Sequence, residues 1–176
     1  MYAAFSRSTE ALSLERKVGQ MGFRYAGDTN SQSKANTHFG RREICINANL
    51  THEEAALSFA YELANASQRT AFEAGPLALW SHGPATRQAA ELYAELTLRK
   101  EANSVLMRSK VAIAIGRADL IANQNYNAIA GLPELDGTQR AELAFQEMKA
   151  NGRVNRGQTA AWNHYVAQYL AHKGIT

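Results

Sequence analysis

Apolar residues recur along most of this chain at helical spacing, with two short exceptions near its start. Leu12, Leu14 and Val18 predict a helix from Ser8 to about Gln20, with Ser8 as its cap. Gly22-Phe23-Arg24-Tyr25-Ala26 alternates in the manner of a short strand. Gly27 to Gly40 is polar and predicts a long turn or loop. Arg42 to Ala48, centred on Ile44, Cys45 and Ile46, predicts a second strand, and the two strands together a hairpin or the edge of a small sheet. Thr51-His52-Glu53-Glu54 is a capping box, and the helix behind it runs to about Thr70. Ala56, Phe59, Ala60, Leu63 and Ala66 share one face of that helix.

Gly75-Pro76 and Gly83-Pro84 then punctuate a connector holding Trp80 and His82. A long helix follows from about Pro84, placed in its first turn, to Ile115. Three shorter helices complete the pattern: Arg117 to Ala130, Thr138 to Ala150 with Thr138 as cap, and Gln158 to Lys173. The fold class is α+β and predominantly helical, with a small N-terminal β-hairpin or sheet packed on the Thr51 helix. No composition shift marks a boundary, so residues 1–176 read as a single domain.

Composition narrows the function classes. The chain has a net charge of +3, with lysine and arginine scattered and no basic tract longer than a pair. That argues against nucleic acid, which wants a continuous basic stripe. No stretch approaches a membrane-spanning length, and Met1-Tyr2-Ala3-Ala4-Phe5 does not read as a cleavable signal. The expected location is the cytoplasm, or outside the cell by a route without a cleavable signal, unless the chain is a piece of a longer protein. The single cysteine, Cys45, reads as a small buried hydrophobe and rules out a thiolate zinc cluster. No phosphate-cradling glycine loop and no Gly-x-Ser-x-Gly elbow is present, and no cofactor is expected.

The chemistry-bearing stretch lies on the Thr51 helix, at Tyr61-Glu62-Leu63-Ala64-Asn65. Residues four apart on a helix lie one above the other, so Tyr61 and Asn65 share a flank beside Glu62. The zinc-peptidase motif H-E-x-x-H uses that spacing to aim two imidazoles at one metal, with the glutamate as general base. Here both histidine positions are replaced. A phenol is a weak zinc ligand near neutrality, and an amide oxygen suits harder cations. A structural alternative has Tyr61 at a core edge and Glu62 paired with an arginine such as Arg108.

With a strand before it, Leu63 and Ala66 in place and Gln68 following, this helix resembles that of bacterial zincin-like metallopeptidases, including toxin-associated ones. Arg99-Lys100-Glu101-Ala102-Asn103-Ser104 resembles the segment that supplies the third ligand in glutamate-type zincins, which would make Glu101 the matching position. The resemblance covers a core of about 42–115 and leaves helices over 117–173 outside it. It implies a catalytically degenerate domain that acts by binding another protein, in a bacterial or phage toxin, effector or immunity setting. Tyr61, Asn65 and Glu101 would line the degenerate site, and no metal ion is expected there. Two other functions stay open. One is an active metal-dependent hydrolase with Glu62 as base and Glu101 as ligand or second acid. The other is a helical adaptor or chaperone-like domain whose motif is coincidence.

None of the five histidines makes an i, i+4 pair, and His164 and His172 stand eight apart, about two turns. Glu91 and Glu95, with Arg87 and Arg99 near, read as a salt-bridged solvated face. Trp162, Tyr165 and Tyr169 form an aromatic stripe on the last helix. It serves either to dock that helix on the core or to bind a partner.

Overall fold

The structure is a computed structural model that describes residues 1–28, 33–154 and 159–175. It is mostly helical, with a small mixed sheet near the N-terminus and one long helix among several shorter ones. Two helices open the chain, α1 (Tyr2–Phe5) and α2 (Thr9–Gln20). Ser8 caps α2, its hydroxyl accepting from the Ala11 amide at 3.2 Å.

Three strands follow: β1 (Arg24–Asp28), β2 (Ala35–His38) and β3 (Glu43–Asn47). Their order is β1-β3-β2, with β1 parallel and β2 antiparallel to β3. The two strands legible in the sequence are therefore neighbours but not a hairpin, because β2 intervenes along the chain. β2 lies inside the stretch expected to be a loop, of which positions 29–32 fall outside the described residues. Its four residues are all half-buried, so it carries no alternation to read. Ile44 and Ile46 point from β3 into the core, whereas Cys45 faces the other way and is only half-buried. The expectation of a buried Cys45 is corrected by the period of two along a strand.

The capping box closes as expected at the start of α3 (His52–Ser67). Thr51 Oγ1 accepts from the Glu54 amide at 3.3 Å, and Glu54 Oε2 accepts from the Thr51 amide at 3.3 Å. Thr51→Ala is expected to cost about 1 kcal/mol, read as a lower urea midpoint at unchanged slope. α3 is the central helix: every residue from Ala55 to Ala60 is buried, among α1, α2, the sheet and the long helix.

The expected connector is helical for most of its length. α4 (Arg69–Phe72) runs into a π-helical turn, Glu73–Leu77, and then α5 (Ala78–His82). Pro76 sits inside the wide turn, and its missing amide favours a local departure from α-helical bonding.

The long helix, α6 (Arg87–Ala114), is capped by Thr86, so Pro84 precedes it and does not sit in its first turn. At 28 residues it spans about 42 Å. One flank packs on α3, and others on α7 (Asn125–Gly131), α8 (Gly137–Asn151) and α9 (Ala161–His172).

The expected helix from Arg117 to Ala130 is broken into a 3-10 turn, Ala118–Leu120, and α7. Gly116, with a φ of 72°, turns the chain just before it. Asp136, not Thr138, caps α8, in a second capping box with Gln139. A two-stranded ribbon, β4 (Arg153–Val154) and β5 (Thr159–Ala160), replaces the first residues expected in the last helix. The expected start of that helix, Gln158, lies outside the described residues. No described helix is long and apolar enough to cross a membrane.

Candidate functional site

Tyr61, Glu62 and Asn65, grouped by helical spacing, and Glu101, singled out by the resemblance, lie along the seam between α3 and α6. Glu62 is buried, 7% exposed. Its Oε2 accepts from Thr37 Oγ1 at 2.7 Å and from Asn65 Nδ2 at 3.3 Å. Thr37 thus ties β2 to α3, and the partners of Glu62 are these two neutral donors and not Arg108, the pairing of the structural alternative. Burial raises the Glu62 carboxyl above its ordinary range, with both hydrogen bonds acting the other way.

Asn65 carries the chain of contacts on to α6: its Oδ1 accepts from Ser104 Oγ at 2.7 Å, and Ser104 is fully buried. One turn further, Gln68 Nε2 donates to the Lys100 carbonyl at 3.1 Å, and Asn103 Nδ2 donates to Gln68 Oε1 at 3.0 Å. Asn65 and Gln68 each divide their bonds between α3 itself and α6.

Glu101 faces the other side of the seam. Its Oε1 accepts from the Tyr165 hydroxyl of α9 at 2.5 Å, and the Tyr61 phenol is a second partner. Its carboxyl is pushed up to about 7, chiefly by burial and further by the nearby Glu62; the two phenols act in the opposite direction. The Tyr61 phenol is held well above its ordinary range, by burial first and then by the charge of Glu101. It is therefore a neutral hydrogen-bonding group near pH 7 and not a phenolate.

Tyr61 and Arg108 stand between two hollows. The larger, about 700 Å³, lies among α3, α6, α7, α8 and α9, with Glu101, Tyr126, Arg153 and Tyr165 also in its walls. The smaller, about 170 Å³, is reached past Lys34, Ser58 and Glu62. Glu101 retains partial solvent contact through the larger one. None of the five histidines lines either hollow.

Zinc of the kind that an intact H-E-x-x-H site binds does not fit these residues. The Tyr61 phenol is protonated, the Asn65 oxygen is taken by Ser104, and Glu101 is bound by Tyr165. Among the described residues no three His, Cys, Asp or Glu side chains converge where a metal could sit.

The aromatic stripe of α9 is turned inward. Tyr169 is wholly buried, and its hydroxyl donates to the Pro84 carbonyl at 3.0 Å, with the Leu79 carbonyl 3.3 Å away. Tyr165 reaches Glu101, and Trp162 lies half-buried under Lys149 Nζ, 4.4 Å from the ring centre. The last turn of α9 holds a second stack: His172 lies on Trp80 at 3.8 Å, and its Nε2 is 3.0 Å from the Trp80 carbonyl. Glu91 and Glu95 pair with Arg87 and Arg99 at 2.9 and 3.0 Å, as their spacing predicts.

Ser104 and Arg108 were not among the predicted site residues, although they follow Glu101 at three and seven positions on one helical face. That spacing could have found them. Thr37 had no such signal. No protein-family model, no curated protein and no solved structure matches this chain.

Proposed function

We propose that the chain is a zincin-like domain that has given up metal chemistry and works by binding a protein partner. One observation supports this reading above others. The three positions that the frame would assign to metal ligands are each engaged in a hydrogen bond to another element, Asn65 with Ser104, Tyr61 with Glu101 and Glu101 with Tyr165, and Tyr61 and Glu101 line a cavity of about 700 Å³. A peptidase site keeps an open coordination position for water. Here Ser104 and Tyr165 supply donors to Asn65 and Glu101. The frame's setting, by resemblance, is a toxin, effector or immunity module, for which another protein is the natural partner.

Metal analysis tests the proposal. The purified protein is expected to hold no stoichiometric zinc, and the double variant Tyr61→His/Asn65→His to gain zinc binding that calorimetry detects. Stoichiometric zinc in the natural chain would overturn the loss of metal chemistry. A folded double variant that binds no zinc would overturn the zincin frame.

A second reading draws on one specific feature, the Glu101 carboxyl titrating at about 7 at a cavity wall. A carboxyl with that pKa can act as a general acid near neutral pH, with Glu62 as the base of a hydrolase. Hydrolysis of a peptide library that is abolished by Glu101→Gln would favour this reading over binding alone.

A further inference from the structure

Arg108 is a partly buried cation in the walls of both hollows. It lies on α6, two turns beyond Glu101, and its Nε is buried with no acceptor. No carboxylate among the described residues pairs with its guanidinium. Burial disfavours its charged form, with only Tyr61 and Glu54 acting the other way. Glu54 is itself engaged by Lys34 Nζ at 2.9 Å and by Thr51. A desolvated guanidinium in a cavity wall gains most from an anion brought in from outside.

The rest of the larger cavity narrows what that anion is. Val105, Ile121, Tyr126 and Met148 give it an apolar wall. Its amide groups already have partners: Asn123 Nδ2 and Asn151 Nδ2 both donate to Glu147, at 2.7 and 3.1 Å, and Gln124 Nε2 donates to backbone carbonyls. Arg108 and, at the rim, Arg153 are the cationic side chains in its lining. A doubly charged phosphate would sit close to Glu101, whereas a carboxylate matches one planar guanidinium in charge and shape. The volume of about 700 Å³ is within the usual range for small-molecule and peptide-end sites.

We infer that this cavity receives a carboxylate carried on an apolar body, with the carboxylate on Arg108 and the body against Val105, Ile121, Tyr126 and Met148. The inference rests on the binding reading of the same cavity but not on zincin ancestry. Either a polypeptide C-terminus ending in an apolar residue or a free organic acid presents that chemistry.

Calorimetric titration of the full chain at neutral pH tests it. The probes are octanoate, octanamide, octyl phosphate, and acetyl-Ala-Ala-Leu with a free or an amidated C-terminus. A free acid is expected to bind at least about tenfold more tightly than its amide, as a charge-assisted pair implies. Arg108→Gln should abolish that preference, and Arg108→Lys should retain part of it. Loss of an uncompensated charge should leave the melting temperature of Arg108→Gln unchanged or higher. Binding of the peptide alone assigns a polypeptide terminus, and binding of octanoate assigns free acids as well. Equal affinity for acid and amide, no binding of any probe, tighter binding of octyl phosphate, or an acid preference that survives Arg108→Gln would overturn the inference. If the acids fail while the double-histidine variant takes up zinc, the site assignment falls and the frame stands.

Discussion

Alanine in place of Tyr169 is expected to lower the unfolding free energy by about 3–5 kcal/mol, the range for emptying a buried aromatic site. The ring has no exposed surface and sits 5.3 Å from Tyr93, with Ala89, Ala90 and Ala94 in the same cluster. Truncation leaves a void beside helices that cannot readily close up, since α6 is also held by α3 on another flank. It also strands the Pro84 carbonyl that accepts the hydroxyl. Tyr169→Phe keeps the ring and isolates that bond, with an expected cost of about 1 kcal/mol. Urea unfolding of both variants gives the two numbers. A loss under about 1 kcal/mol for Tyr169→Ala would mean that α9 does not dock as described. Because Tyr165 lies one turn earlier on α9, loosening this helix also withdraws the donor from Glu101.

Glu101→Gln is expected to stabilise the protein at alkaline pH and to have little effect in acid. The unfolded carboxyl titrates near 4.5 and the folded one at about 7. The native state therefore holds this proton more tightly than the unfolded chain does. The stabilisation from the protonated form is complete below pH 4.5 and is lost as pH rises through 7. The loss amounts to about 3 kcal/mol at full extent, less whatever solvent in the cavity recovers. Glutamine imitates the protonated acid and can still accept from Tyr165, so the variant should gain about 2–3 kcal/mol at pH 8. The readout is the difference between variant and natural protein across pH. Glu54, Glu142, Glu147 and Asp119 are held below their ordinary range by hydrogen-bond partners and tilt the whole-protein profile the other way. Parallel stability profiles would show that Glu101 titrates as an ordinary surface acid.

What could be read from the sequence was local. Ser8 and Thr51 announce their helices because a cap and its partner lie three residues apart. The pairs Glu91 with Arg87 and Glu95 with Arg99 follow from the same spacing. What could not be read depends on contacts distant along the chain. β2 is a strand because β3 offers it partners, not because Ala35-Asn36-Thr37-His38 alternates. The turn around Pro76 stays helical because its neighbours pack on α6, where proline chemistry alone argues for a break.

The candidate site divides in the same way. Tyr61, Glu62 and Asn65 share a flank by helical geometry, so their grouping is visible in the sequence. Their meeting with Ser104 and Glu101 needs α3 and α6 to lie against each other, which no local pattern dictates. Arg108 was visible as an arginine but not as one whose buried Nε has no acceptor among the described residues. That property belongs to the space around it.

α3 and α6 are rich in alanine, with Ala56, Ala60, Ala64 and Ala102 all buried where the two helices pack on their neighbours. Small side chains make two helices easy to bring together and easy to slide, since a shift of one turn, about 5.4 Å, exchanges one methyl contact for another. Ser104 donates from α6 to Asn65, and Gln68 donates from α3 to the Lys100 carbonyl, so the two bonds cross the seam in opposite senses. They act as notches that a shifted pairing would leave unfilled. Their contribution is thus less to how strongly the helices adhere than to which of several near-equivalent alignments they adopt.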